Sequence, residues 1–255
     1  MSNKKNIKAK KTLLKTDRKA RKWSFKKIFL LVAALGLLYF GIEYLLLPTG
    51  KDLKETNPKT TAMIEARLEQ AKAAGREEVK QQIWVPIDKI SNNLVRAVLA
   101  GEDARFFSHN GFDTEAIKKA IEHDWKEGRF ARGASTVTQQ LAKNLYLSES
   151  KNPLRKLKEA IITRRLEENL SKKRILEIYL NVIEWGDGIY GAEAASKNYF
   201  GKSASQLSAN DAAFLAAMIP NPRTVYNPKK NPKRVTRRQK LLLKRMRAVN
   251  LPKGW

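Results

Sequence analysis

Apolar and polar positions follow three different patterns along this chain, and each predicts a different kind of element. Residues 28–47 form a nearly unbroken apolar run, with one charge, Glu43, near its far end. At about 1.5 Å rise per residue such a helix is about 30 Å long, the thickness of bilayer hydrocarbon. Tyr39 and Tyr44 suit an interfacial belt, and Leu-Leu-Leu-Pro at 45–48 lacks the small residues of a signal-peptide cleavage site. The pattern predicts an uncleaved membrane span over 28–47. Residues 48–83 are polar, with a weak apolar stripe between Thr61 and Lys80 (Ala62, Ile64, Ala66, Leu68, Ala71, Val79). They predict a connector carrying a stalk helix. Trp84-Val85-Pro86 breaks that pattern, because proline disfavours helix at the preceding residue.

Beyond residue 84 helical periodicity dominates, and start signals precede most of the runs. Ser91 can cap a helix whose Leu94, Val95, Val98 and Leu99 lead up to Glu102. Asp113 can cap the next, with Ile117, Ala120, Ile121 and Trp125 on one face. Residues 128–133 read as a basic loop, and Ser135 opens a helix over 136–145. Asn152-Pro153 predicts a helix to about Leu170, with Leu154, Leu157, Ile161, Ile162 and Leu166 inward. Ser171 caps a helix through Asn181, and Gly186, Gly188 and Gly191 predict a turn before 192–200. Ser208 with Asp211 is an acidic capping box before 212–218. Pro220, Pro222 and Pro228 end regular structure, and 235–249 predicts a last, very basic helix. No run of alternating strands occurs, so the fold class is mainly α.

Charge changes this picture less than its total suggests. The 255 residues carry a net charge of +26. Residues 1–27 hold 12 Lys/Arg and one Asp, residues 223–255 hold 12 Lys/Arg and no acid, and the span between is almost neutral. A nucleic-acid domain would spread its basic surface over the body, so no nucleic-acid partner is expected. The basic flank before the apolar run places the N-terminus in the cytoplasm and the rest outside. The C-terminal basic helix could dock on anionic lipid, or pack its Leu242–Met246 side on the body. With no cysteine there are neither disulfides nor thiolate metal sites.

Candidate chemistry concentrates at 101–111, Gly-Glu-Asp-Ala-Arg-Phe-Phe-Ser-His-Asn-Gly. Glu102 and Asp103 lie beside two aromatics at a predicted helix end, where partial burial would raise a carboxylate pKa. Farther on, Thr136, Gln139, Gln140, Lys143 and Asn144 share one helical face, a set suited to hydrogen bonding a polar ligand. Arg155, Lys158 and Glu159 place a second carboxylate among cations. Two carboxylates of different character with cations nearby suit glycosyl transfer, in which one group moves a proton and positive charge stabilises the leaving group.

These stretches resemble the motifs of the family 51 peptidoglycan glycosyltransferases. Residues 102–111 are similar to the first motif, 133–144 (Gly-Ala-Ser-Thr-Val-Thr-Gln-Gln-Leu-Ala-Lys-Asn) to the second, and 155–159 to the third. Residues 174–181 with 186–202 resemble the fourth, and 212–228 the fifth. Alanine stands at 134, where the family often has glycine. The stretch 179–186 resembles the monofunctional Gram-negative members, and no transpeptidase domain is expected after it.

The resemblance implies a lysozyme-like α domain that joins lipid II into β-1,4-linked glycan strands and releases undecaprenyl diphosphate. Glu102 would be the general base and Glu159 the second essential carboxylate. Ser135, Gln140 and Asn144 would bind the donor. Lys143, Arg155 and Lys158, with Lys151, would hold the diphosphate. Asp103 and His109 would be structural supports. No cofactor is required, although a divalent cation (Mg2+ or Mn2+) at the diphosphate is compatible. Expected partners are lipid II, the growing glycan, the inner membrane and other cell-wall synthesis proteins. The expected plan is a cytoplasmic tail (1–27), a transmembrane helix (28–47), a connector (48–83), a periplasmic glycosyltransferase domain (84–228) and a basic C-terminal helix (229–255). The rival readings are a glycan-cleaving enzyme on a similar fold and a non-enzymatic membrane-anchored assembly factor.

Overall fold

A computed structural model describes residues 25–77, 79–127, 135–147 and 152–255. The chain divides into two units at Leu46/Leu47. As far as it is described, the first is a helix, α1 (Phe25–Leu46), which starts three residues before the predicted span. Its most apolar window has a mean hydropathy of 2.1, and none of it is buried by protein. A helix that is apolar all round needs an apolar surround. This one fits a membrane anchor.

The second unit, Leu47–Trp255, is built around α3 (Asn92–Glu102). Ser91 Oγ accepts from the Asn93 amide at 3.2 Å and starts this helix. Its Leu94, Val95, Val98 and Leu99 are buried almost completely. They face α9 (Ala209–Met218) and α10 (Pro232–Arg245). Four alanines of α9, Ala212, Ala213, Ala216 and Ala217, are buried, and such short side chains let helices approach closely. Ser208 and Asp211 form the predicted capping box of α9. A second layer places α5 (Val137–Tyr146) against α6 (Pro153–Asn169), α7 (Lys172–Val182) and α2 (Ala62–Ala73). The remaining helices are α4 (Thr114–Glu127) and α8 (Ala192–Phe200).

A small sheet lies beside these layers. Strands β1 (Gln81–Gln82), β2 (Glu184–Gly186) and β3 (Ile189–Tyr190) are ordered β1-β3-β2, with β1 parallel and β2 antiparallel to β3. Gly191 follows with φ +83°, and a Cβ there would meet the Asn181 carbonyl at 2.7 Å, so only glycine fits this turn. The Asn181 side chain accepts from the Val85 amide at 3.0 Å and donates to the Val85 carbonyl at 2.9 Å. That pairing fixes residue 85 through both its amide and its carbonyl, next to the proline that disfavours helix there.

Two sequence expectations change here. Residues 48–83 do not behave as a solvated stalk, because Leu53, Ile64 and Ala71 are buried and α2 packs on α5. Arg174 of α7 fastens the preceding segment by donating to the Leu53 carbonyl at 2.7 Å, the Thr56 carbonyl at 2.8 Å and Asn57 Oδ1 at 2.7 Å. The helix is also shorter than the predicted 61–80. Conversely, Ile121 and Trp125, placed on one apolar face, and Leu154 and Leu157, placed inward, are exposed, Trp125 by 86 %. Periodicity identifies an apolar face without saying what covers it.

Candidate active site

Glu102 is the last residue of α3. Its side chain is 10 % exposed and is held by two donors. Gln140 Nε2 donates to Oε2 at 2.9 Å, and Arg238 Nη2 donates to Oε1 at 3.0 Å. Burial pushes the Glu102 carboxyl above its ordinary value of 4.5, and the Gln140 hydrogen bond and the Arg238 guanidinium oppose that rise. The orientation of Gln140 is fixed from behind, where Tyr179 OH donates to its Oε1 at 2.9 Å. Tyr179 is fully buried, and burial, then the charges of Glu102 and Asp103, push its phenol well above 10. It therefore stays protonated and remains a donor, which leaves the amide NH2 of Gln140 facing Glu102.

Asp103 braces the turn. Its Oδ1 lies 2.9 Å from His109 Nε2, and its Oδ2 accepts from the Val137 amide at 3.0 Å in the first turn of α5. Thr136 Oγ1 donates to the Gly111 carbonyl at 2.7 Å and ties the end of the turn to the same helix. Gly111 has φ +88°, and a Cβ there would come within 2.8 Å of Thr163 Cγ2. The turn is thus clamped between α5 and α6. Thr136 and Gln139 form a capping box and are buried. Two of the five polar positions predicted to face a ligand therefore serve the helix start, while Gln140, Lys143 and Asn144 face the cavity.

That cavity has a volume of about 590 Å³, and Glu102, Ser135, Gln140, Lys143 and Asn144 all line it. Asn144 Oδ1 is buried with no partner among the described residues, which leaves a strong acceptor for a ligand hydroxyl or amide. Arg67 of α2 and Arg223 of the turn after α9 also line it, both paired with Glu184 of β2.

Glu159, Arg155 and Lys158 do not line this cavity. Glu159 is buried on α6, where its Oε2 accepts from Arg155 Nη1 at 3.0 Å and its Oε1 from Lys156 Nζ. Lys151, with the predicted loop at 128–133 and Ala134, lies outside the described residues.

Among the described residues, Asp103, His109 and Asp113 bring three possible metal-ligand atoms within 4.8 Å of one another. Asp103 is already engaged at both oxygens, and Asp113 accepts from the Ala116 amide at 2.9 Å and lies 3.7 Å from Arg105 Nε. Three donors and a cation on these two carboxylates fit bracing better than metal ligation.

Sequence reasoning missed Arg238 and Lys156, and it placed Tyr179 in a motif without a role. Lys156 was legible as an i, i+3 partner of Glu159. Arg238 sits four residues before Leu242, on the side that packs inward, which was its only local signal.

A family profile described as Transglycosylase matches residues 68–247. The chain therefore belongs to this transglycosylase family. A protein from Thiobacillus denitrificans described as a biosynthetic peptidoglycan transglycosylase is 52 % identical over 198 residues, covering 77 % of this chain and 84 % of its own length. Proteins with the same description from Nitrosospira multiformis and Chromobacterium violaceum are 48 % and 49 % identical, with 85 % and 87 % of their lengths covered. The match includes α10, and so includes Arg238.

Proposed function

We propose that this protein polymerises lipid II into β-1,4-linked peptidoglycan strands, releasing undecaprenyl diphosphate by an inverting, general-base mechanism. The observation that carries the reading is the Glu102 carboxylate, buried and oriented at one side of a cavity lined by Lys143 and amide groups. Glu102 accepts the proton of the acceptor sugar's 4-hydroxyl as that oxygen attacks the anomeric carbon of the lipid-linked chain. The bond from that carbon to the diphosphate breaks with inversion, from α to β. Lys143 stabilises the departing diphosphate, and Ser135 and Asn144 hold the donor. The motif resemblance gives Arg155, Lys158 and Lys151 to the same diphosphate, with Glu159 organising Arg155. A raised Glu102 pKa suits a base working near neutral pH. The apolar α1, with ten basic residues before it and Lys26 and Lys27 in its first turn, supports a single-pass plasma-membrane protein with its N-terminus in the cytoplasm and its catalytic unit in the periplasm.

The test is polymerisation of purified lipid II by the full chain. Glu102→Gln should lower the rate by about 10²–10⁴-fold, the usual contribution of a general base, with an unchanged circular dichroism spectrum. Near-normal strand formation by this variant would overturn the base assignment. A parallel arm with chelator decides whether a divalent cation assists the diphosphate.

A further inference from the structure

The reaction proposed above brings together two lipid-linked diphosphates, and the roles given to Lys143, Arg155, Lys158 and Lys151 concern only the one that leaves. The acceptor keeps its own diphosphate, two sugar rings away from the hydroxyl that Glu102 deprotonates. Its charge needs a second set of cations, reached from Glu102 in another direction.

Such a set lies on α10. A groove of about 520 Å³ is walled by Tyr226, Arg234, Arg237, Lys240 and Lys244, and Arg238 forms one edge of it. Arg238 is the same residue that donates to Glu102 at 3.0 Å, and its guanidinium lies 5.4 Å from the centre of the Tyr226 ring. The groove and the base therefore share a side chain. Lys244 follows Arg238 by six residues, which is about 9 Å along a helix axis. That span suits a disaccharide with its hydroxyl at Glu102 and its diphosphate between Arg237, Lys240 and Lys244.

A solvated helix face gives a different pattern. Exposed helices usually interleave both signs of charge, as α6 does with Arg164/Glu168. Helix α10 has no acidic residue, and Arg234, Arg237, Lys240 and Lys244 form no ion pair among the described residues. Like charges at i, i+3 and i, i+4 oppose helix formation, so a groove whose only charged lining residues are cations suits an anion that binds there.

We infer that this groove is a second diphosphate subsite, holding the diphosphate of the acceptor substrate while Arg238 links it to the base. The inference rests on the polymerase reading. The experiment uses the full chain in non-ionic micelles without anionic lipid, with a preformed lipid-linked oligosaccharide as donor and lipid II as acceptor. The variant carries Arg234→Gln, Arg237→Gln, Lys240→Gln and Lys244→Gln. A charge-matched control carries Lys51→Gln, Lys54→Gln, Lys72→Gln and Lys89→Gln. The acceptor KM should rise about tenfold or more with kcat and donor KM little changed, the signature of lost uniform binding. The control should match the wild type, and thermal melting should verify that both fold.

An unchanged acceptor KM overturns the subsite, as does a rise in donor KM instead. Activity lost only in vesicles containing an anionic phospholipid also overturns it, and makes the groove a headgroup dock. A wild-type chain that forms no glycan strand overturns the polymerase reading and takes the subsite with it.

Discussion

Arg238 donates to the Glu102 carboxylate at 3.0 Å across 136 positions of sequence, joining a basic helix with no acidic residue to the turn that carries Glu102 and Asp103. The guanidinium lowers a pKa that burial raises. Replacing it with an apolar side chain removes a lowering influence, so the Glu102 pKa should climb. The base would then be protonated over more of the pH range. For Arg238→Met, the acid limb of the kcat profile should move to higher pH, with a larger rate loss at pH 6 than at pH 8. The stability sign agrees. A carboxyl with a raised folded pKa contributes its stability fully below its ordinary value and loses it as pH rises through the folded value. The variant should therefore be more destabilised at neutral than at acidic pH, as urea titrations at both would show.

Tyr179→Phe removes the hydroxyl that orients Gln140. The amide could then turn its oxygen toward Glu102 and repel it. The expected result is a fall in kcat of about tenfold with little change in KM, together with about 1 kcal/mol of lost stability from the missing buried hydrogen bond. A fall in stability alone would make Tyr179 a core residue and nothing more.

Asp103→Ala strips the partner from His109 and from the Val137 amide at once. Leaving a buried donor unsatisfied costs about 1–3 kcal/mol. The urea midpoint should drop accordingly, and the variant should lose activity because the turn that carries Glu102 is no longer anchored to α5. Asp103→Asn, which keeps one acceptor, should recover part of both.

Ile64→Ala tests the packing of residues 48–83 within the second unit. Ile64 is fully buried. Truncation should cost about 2–5 kcal/mol, against less than about 0.5 kcal/mol for a solvated stalk residue. Thermal unfolding of the full chain distinguishes the two.

Local signals carried most of the secondary structure. The caps at Ser91, Asp113, Asn152, Ser171 and Ser208 all accept from an amide two or three residues ahead, so the residues that start each helix are neighbours in sequence. Gln140, Lys143 and Asn144 were legible for the same reason, because helical spacing alone puts them on one face. The residues that complete the surroundings of Glu102 were not. Tyr179 reaches Gln140, and Arg238 reaches Glu102, from helices elsewhere in the fold, and no window of sequence contains both partners. The exposed Trp125 and Leu157 failed in the opposite way. Their spacing described an amphipathic helix correctly, but the neighbour that would have buried them is a property of the tertiary fold.

The packing of α10 also bears on how this protein is shortened for laboratory use. A run of lysine and arginine after the last predicted motif looks dispensable, and trimming it near residue 228 would appear to remove only a solubility nuisance. Such a product would lose Val235, Leu242 and Met246 from the core, the ring of Trp255 from its place 5.1 Å from Phe107, and the guanidinium beside Glu102. A trimmed protein that expressed poorly or failed to turn over would then be misjudged as evidence about the substrate, when the fault lay in where the chain was cut.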